Sequence, residues 1–333
     1  MPKTATDEVP AFVALALALL LTACASPPVG APVAVAELTH QSCPAAAIPP
    51  EYRLPPVAPL PDAVQSTLDF ARDEWRGWGR QIIDYREVDW KRTQAVRQHI
   101  QTGYVSEAEF PAALPLIPVI AALGCWENDP RVYARLRAYW RPLQRHSDES
   151  DMVRSARRRY AGDLIDSSLA MTVNRSASWS EAWSAAFLSF VISASVERHP
   201  AAGGFSYSEN HTGYAAAAVE AVQPAGNNHR YVARSVVTFV PRHGDMVCSY
   251  RNQVRREPWQ PDLTDWRMGS GHCDLVVAVD RRAAEGRIFV VGGNVFQSVA
   301  VSVHATDAEG RPVESPFRNW AIVLADRANP AGL

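Results

Sequence analysis

The order of two periodic patterns constrains the fold of this chain most strongly. Apolar residues recur at every third or fourth position in residues 62–100, 130–145 and 178–197, which predicts helices. From Ser235 onward the pattern changes to short apolar segments separated by turn residues, which predicts strands. These segments are SVVTFV, DMVCSY, CDLVVAV, RIFVVGG, SVAVSV and NWAIVLA. Helices followed by strands in this way predict an α+β domain with an antiparallel sheet.

The N-terminal sequence predicts an export signal. Residues 11–21 form an apolar run of 11, whereas a membrane-spanning helix needs about 20 such residues. The run therefore has the length of a signal-peptide core. It ends in Leu21-Thr22-Ala23-Cys24, which resembles the bacterial lipobox; the resemblance implies a lipid on Cys24 as the mature N-terminus and, with Ala25 following, sorting to the outer membrane. A plain secretory signal cut before Cys24 is the alternative, and both predict that the chain leaves the cytoplasm.

Four segments follow from these patterns. Residues 1–23 are the predicted signal peptide, and the stretch 24–61, rich in proline and alanine, is predicted to be a tether. Residues 62–178 are predicted to be a helical region, and residues 179–325 the α+β core. A capping box at Ser178-Trp179-Ser180-Glu181 predicts where the main helix of that core begins.

Composition and spacing exclude several functions. The chain has 33 basic and 35 acidic residues, a formal charge of −2, whereas nucleic-acid binders usually carry a basic excess. The nine histidines lack an H-x-x-x-H spacing, and no phosphate-binding glycine motif occurs. We therefore expect neither a metal nor a nucleotide cofactor, and no nucleic-acid partner.

Four cysteines remain after removal of the signal peptide. An even number in an exported protein favours disulfides, and four cysteines allow three pairings. Cys248 and Cys273 lie on strands that are plausible neighbours, which favours a bond between them. Cys43 and Cys125 would then pair by elimination and attach the tether to the helical region.

Four short motifs carry the chemical information: Trp183-Ser184-Ala185-Ala186-Phe187, Gly244-Asp245-Met246-Val247-Cys248, His272-Cys273-Asp274-Leu275-Val276 and Gly292-Gly293-Asn294-Val295. In this order they resemble the bacterial domain of unknown function number twenty-two seventy-two. That family is in turn distantly similar to the NlpC-like and CHAP-like cell-wall amidases, which have a papain-like fold. The resemblance covers residues 62–305 and implies a papain-like core with an N-terminal helical extension.

The resemblance implies a nucleophile at Ser184 and a base at His272, and it adds His211 to the same cleft. A nucleophile at a helix N-terminus benefits from unpaired N–H groups and the positive end of the helix dipole. A histidine can accept its proton, and a third polar group can orient the imidazole.

Asn294 is the candidate for that orienting group. If residues 272–279 and 287–294 form a hairpin around 280–286, His272 lies opposite Asn294 on the same face of the sheet. Asp274 shares that face and either orients His272 or bonds the end of the strand. Cys273 is expected to point to the opposite face, away from Ser184.

One departure from the amidase pattern leaves the function open. Ser184 stands where those enzymes have cysteine, and a serine hydroxyl depends wholly on its base. The sequence therefore allows a Ser-His-Asn hydrolase that cuts an amide in peptidoglycan or a peptide. It also allows an inactive peptidoglycan- or peptide-binding module, or a structural envelope lipoprotein. Tryptophans beside the cleft would suit ligand binding, and the candidates are Trp183, Trp259 and Trp266.

Overall fold

The computed structural model describes ten stretches of the chain, all within the compact unit formed by residues 41–333. They are residues 43–45, 47–86, 124–127, 129–146, 183–223, 228–251, 257–262, 266–281, 285–315 and 318–330. The predicted lipidation site at Cys24 and the capping box at 178–181 lie outside them. No helix within these stretches has the length and apolarity that crossing a membrane requires.

Five α-helices lie within the described residues. They are α1 (Asp62–Gly77), α2 (Tyr133–Tyr139), α3 (Arg141–His146), α4 (Ser184–Arg198) and α5 (His211–Glu220). Short 3-10 turns at Pro50–Tyr52, Pro130–Val132 and Pro200–Ala202 each begin with proline, whose fixed φ suits the first position of a helical turn. Helix α4 lies at the centre of the helical layer, since it packs against α1, α2 and α3 and also against the sheet.

Within the described stretches, seven strands form one sheet. They are β1 (Gln81–Asp84), β2 (Tyr231–Arg234), β3 (Met246–Tyr250), β4 (Gly271–Asp280), β5 (Arg287–Val295), β6 (Ser298–Ala305) and β7 (Asn319–Asp326). Their order in the sheet is β1-β6-β5-β4-β3-β7-β2. The α+β prediction is confirmed, but the sheet is mixed rather than antiparallel, because β1 pairs parallel to β6.

The central strands are buried on both faces, so alternate residues pack into two different clusters. Cys273 and Leu275 of β4 belong to the cluster that includes the helices. Val276 belongs to a second cluster with Val290 and Trp320 on the other face. We call these the helix face and the outer face. Successive side chains of a regular strand point to opposite faces, so residues 272–276 of β4 are assigned to the two faces in turn. The alternation shifts only after Val276, where the β4–β5 register is irregular.

The predicted helix over residues 62–100 ends earlier than expected. Gly79 and Arg80 both have positive φ angles, 98° and 64°, which a helix cannot continue through. A Cβ at Gly79 would also lie 2.5 Å from the Gly124 backbone, so the chain needs glycine there. Ile82, expected on the helix, lies instead in β1.

The segment SVVTFV is likewise not a strand. The carbonyl of Ser235 accepts hydrogen bonds from the backbone N–H groups of Thr238 and Phe239, and its hydroxyl accepts from the N–H of Val237. Serine can close a turn in this way, and its local bonds replace those of a strand ladder. The strand lies just before it, at Tyr231–Arg234.

Both predicted disulfides are confirmed: Cys248 pairs with Cys273, and Cys43 pairs with Cys125. The first joins residues directly opposite each other on β3 and β4. The second shortens the predicted tether, because Cys43 is buried. Tyr52 also donates a hydrogen bond to Asp84 at 3.2 Å, so the chain packs on the body from residue 43 rather than from 62.

Candidate functional site

Trp183 fixes the start of helix α4. Its indole is 1% exposed and stacks on Trp78 with ring centroids 5.2 Å apart. Its Nε1 donates to Oε2 of buried Glu127 at 2.5 Å. Buried aromatic rings with a satisfied N–H act as packing groups, so Trp183 positions the helix and is not an open ligand surface, contrary to the sequence-based prediction.

Ser184 is the first residue of α4, and its side chain has two hydrogen-bond partners among the described residues. Its Oγ lies 2.7 Å from Nε2 of His211 and accepts a hydrogen bond from Nη2 of Arg251 at 3.1 Å. Within the described residues no hydrogen bond joins Ser184 to His272. The structure therefore places His211, and not the predicted base His272, against the hydroxyl.

His211 begins helix α5, where the Asn210 side chain caps the helix by accepting from the N–H of Gly213 at 3.0 Å. Nδ1 of His211 accepts the backbone N–H of Cys273 at 3.2 Å and also contacts the hydroxyl of Tyr214. A backbone N–H can only donate, so Nδ1 must carry the lone pair. We therefore assign the hydrogen of the neutral ring to Nε2, which donates to Ser184.

Electrostatics keep the His211 ring neutral. Burial, together with the nearby charges of His272 and Arg251, holds its pKa well below the ordinary value. Burial also raises the pKa of Tyr214 well above its usual value, so the phenol keeps its hydrogen and can donate it to Nδ1. The hydroxyl of Ser184 thus faces a hydrogen-bond donor and not a proton acceptor.

His272 and Asp274 form a second cluster with Arg318. Nε2 of His272 donates to Oδ1 of Asp274 at 2.7 Å, and Arg318 donates to Oδ2 at 3.1 Å. Burial alone would raise the pKa of Asp274, but the charges of His272 and Arg318 lower it below the ordinary value. Burial lowers the pKa of His272, and Asp274 only partly offsets that effect.

The two clusters meet at the start of β4. His272 and Asp274 alternate with Cys273 and Leu275, so they belong to the outer face. The expectation for this strand is thus reversed: Cys273 faces the helices that carry Ser184, and His272 faces away. The rings of His211 and His272 still touch, with centroids 4.9 Å apart.

Asn294 does not orient His272; Asp274 makes that contact. The β4–β5 pairing does follow the assumed hairpin where it opposes Leu275 to Val291. However, Asn294 has a positive φ of 54°, and asparagine is one of the few side chains that tolerate this conformation. Asn294 therefore serves the irregular end of β5, where the β5–β6 register shifts between Gly292 and Val295, and no hydrogen bond joins it to His272 in the described part of the chain.

Close packing on the two faces of the sheet requires glycine at both positions before Asn294. A Cβ at Gly292 would lie 1.9 Å from Oδ1 of Asp274, and a Cβ at Gly293 would lie 2.5 Å from Cβ of Phe187. Gly292 thus makes room for the His272 cluster on the outer face. Gly293 lets α4 approach the strand on the helix face.

The other predicted binding tryptophans are also packing residues. Trp259 is 3% exposed, and its backbone N–H donates to the carbonyl of Ala321 at 2.7 Å. Trp266 is half-buried, and its Nε1 donates to the hydroxyl of Tyr250 at 3.0 Å. The long loop between β3 and β4 therefore packs its own tryptophans.

Sequence reasoning missed two members of the site. Tyr214 lies one helical turn after His211, a spacing that brings side chains together. The contact between them could therefore have been predicted from the sequence. Arg251 follows β3 directly, but nothing in the pattern of that strand shows that its side chain reaches Ser184.

Comparison with known proteins gives one match. The model of the family described as an uncharacterized protein conserved in bacteria (DUF2272) matches residues 127–325. Helices α2 to α5, strands β2 to β6, nearly all of β7 and the cluster around Ser184 lie within that span, whereas α1 and β1 precede it. The chain belongs to this family. No curated protein matches the chain, and no solved structure matches it.

Proposed function

We propose that this protein is exported to the bacterial cell envelope, is held to a membrane by a lipid on Cys24, and binds peptidoglycan or a peptide without cutting it. The two disulfides support export, because such bonds persist in oxidising compartments. Helix α4, packed on the antiparallel strands β4 and β5, supports a papain-like arrangement for the binding domain.

The hydrogen bond from the N–H of Cys273 to Nδ1 of His211 carries the non-hydrolytic part of this proposal. It favours the tautomer that donates to Ser184, whereas an activated serine must give its proton to a ring nitrogen. The pair His272–Asp274 has the imidazole and orienting carboxylate of a catalytic base. It lies on the outer face and makes no hydrogen bond to Ser184 in the described region. The site therefore has the parts of a hydrolase but not their functional alignment.

A hydrolase is the second candidate. The 2.7 Å separation of Ser184 Oγ from His211 Nε2 favours it, since a nucleophile and its base must lie within hydrogen-bond distance. His211 would then have to adopt the other tautomer, at the expense of its bond from Cys273. In that case His211 would replace His272 as the base.

Purified peptidoglycan separates the two candidates. The full-length protein in detergent is incubated with sacculi, and both its co-sedimentation and the release of soluble fragments are measured. A binding module should sediment without releasing fragments, and Ser184→Ala should likewise release none. Release by the wild type that is lost in Ser184→Ala would favour the hydrolase, and a lack of both binding and release would contradict both candidates.

A further inference from the structure

A short segment before helix α1 carries a proline motif that the proposed function does not use. It lies in the stretch predicted to be a tether and has the sequence Arg53-Leu54-Pro55-Pro56-Val57-Ala58-Pro59. The arginine is followed by prolines three and six residues later. Because a polyproline II helix has three residues per turn, this spacing places Arg53, Pro56 and Pro59 on one edge of such a helix.

The backbone of this segment has the polyproline II conformation. Arg53 has φ −63° and ψ 128°, and Pro61 has φ −54° and ψ 141°, both close to the polyproline II values of about −75° and +145°. Proline fixes φ at several positions between them. The N–H and C=O groups of residues 54–60 make no backbone hydrogen bond within the described part of the chain, which is also a property of polyproline II.

Two edges of this helix differ in exposure. One edge is half-buried, and we call it the body edge: it comprises Leu54, Val57 and Leu60. Its two leucines pack against the hydrophobic core. The other, which we call the motif edge, is exposed at all three of its residues, Arg53, Pro56 and Pro59. The motif edge therefore faces solvent while the body edge rests on the core.

The segment is held at both ends. Just before it, buried Tyr52 donates a hydrogen bond to Asp84 of β1 at 3.2 Å. Just after it, the carbonyl of Pro61 accepts the N–H of Gln65 in the first turn of α1 at 2.9 Å. A partner would therefore meet a helix that is already formed, and preorganisation of this kind lowers the cost of binding.

The residues on the motif edge define the chemistry of that partner. Prolines on one edge of a polyproline II helix dock into grooves lined by aromatic side chains, which is a recurring mode of peptide recognition. The planar guanidinium of Arg53, one turn before Pro56, matches both oxygens of a carboxylate. A single arginine gives little attraction to an anionic membrane, so the combination favours a protein partner.

We propose that residues 53–59 are a docking surface for a protein domain whose groove is lined by aromatic side chains and ends at a carboxylate. The groove contacts the motif edge, and the body edge stays on the core. This role goes beyond the proposed function and does not depend on it.

Calorimetric titration with a groove of this chemistry tests the docking surface. The probe is a purified SH3 domain selected for peptides with an arginine three residues before P-x-x-P. It is titrated into the full-length protein in detergent and into a synthetic peptide of residues 51–61. The motif-edge variants are Arg53→Ala and the double variant Pro56→Ala with Pro59→Ala.

Three matched controls accompany these variants. Arg76→Ala changes an exposed arginine on α1, Pro44→Ala changes an exposed proline outside the segment, and Val57→Ala changes the body edge. Circular dichroism verifies that each variant is folded.

The probe should bind both the peptide and the full-length protein. Arg53→Ala should weaken binding about tenfold or more, because hydrogen bonds to charged groups are strong. The double proline variant should weaken it about tenfold or more through lost apolar burial. The three controls should stay within about twofold of the wild type.

Several results would overturn the inference. Binding to the peptide but not to the protein would show that the body blocks the motif edge. Failure to bind either one, or equal affinity for the wild type and the motif-edge variants, would contradict the docking surface directly. Sacculi that retain the wild type but not the motif-edge variants would assign the segment to peptidoglycan binding instead.

Discussion

The two histidines beside the start of β4 differ in what their ring nitrogens meet. His211, on the helix side, has hydrogen-bond donors at Nδ1 and the Ser184 hydroxyl at Nε2. His272, on the outer face, has the carboxylate of Asp274. A serine hydrolase needs the hydroxyl, the base and the orienting carboxylate in one line. Here the hydroxyl of Ser184 is hydrogen-bonded to His211, whereas the carboxylate of Asp274 is hydrogen-bonded to His272.

Among the variants that test this comparison, removal of the Asp274 carboxylate should have the largest effect on the free energy of unfolding. Asp274→Asn leaves Arg318 and His272 without their charged partner, and breaking a buried ion pair costs about 3–5 kcal/mol. We expect a loss of that size in the free energy of unfolding, measured by urea denaturation. The matched control is Asp307→Asn, which breaks a pair with both side chains 31% exposed and should cost no more than about 1 kcal/mol. Equal losses would show that the outer-face cluster is not a buried charge network.

The adjacent glycines test the two faces separately. Gly293→Ala forces a Cβ against Phe187 of α4, and Gly292→Ala forces one against Asp274. Overpacking costs about 1–3 kcal/mol, so both variants should be less stable in urea. Histidine NMR should show the His272 signals shifted mainly in Gly292→Ala and those of His211 mainly in Gly293→Ala. The same pattern of shifts in both variants would contradict the separation of the faces.

Stability should fall as the pH falls below about 6.5, the ordinary pKa of histidine. Burial lowers the pKa of His211, and burial with Arg318 lowers that of His304 to about 3. The unfolded chain therefore binds more protons in this window, and the stabilising effect of the neutral rings is lost as the pH falls. Each ring contributes up to about 1.4 kcal/mol per pH unit.

Replacing one ring measures its share of that slope. His304 stacks on Tyr85 with centroids 4.8 Å apart, and its Nε2 has no hydrogen-bond partner among the residues that the structure describes. His304→Phe therefore keeps the planar contact and removes the titration. The free energy of unfolding, measured by urea denaturation at pH 7, 6, 5 and 4, should then decrease less steeply as the pH falls. The slope should change by up to the amount expected for the uptake of about one proton. An unchanged slope would mean that His304 already titrates normally in the folded protein.

The smallest expected effect is a shift in the pKa of a cysteine thiol introduced at position 184. In Ser184→Cys the sulfur would face Arg251, the N–H of His211 and the start of α4, all of which favour a thiolate. Its pKa should fall about one unit or more below the ordinary 8.5, measured as the 240 nm thiolate absorbance against wild type. Ser193→Cys, in the interior of the same helix, is the control. A thiol pKa at or above 8.5 at position 184 would argue against a donor-rich site.

The sequence predicts the order and type of most elements because their periodicity is strong. It predicts five of the seven strands, and both disulfides, because β3 and β4 were identified as neighbours. The parallel strand β1 was missed, since Ile82 continues the apolar spacing of α1 and only the backbone at Gly79 and Arg80 interrupts it.

The site was predicted less well than the fold, for a geometric reason. Ser184, His211 and His272 do gather at one place, as their motifs indicate. However, which histidine faces the serine depends on the side of β4 that the helices cover, and β4 is apolar on both sides. Alternation alone cannot choose between two buried faces, and the helix side proved to be that of Cys273.

The Cys43–Cys125 disulfide also determines which part of the compact unit would bear a pulling force applied to the chain before Cys43. Tension delivered through the residues before Cys43 passes covalently to Cys125. The carbonyl of Cys125 accepts a hydrogen bond from the hydroxyl of Ser298, at the start of β6, and β6 lies between β1 and β5. If the proposed lipid on Cys24 holds the chain to a membrane, a pull from that anchor would therefore be shared with the sheet instead of peeling α1 away from it.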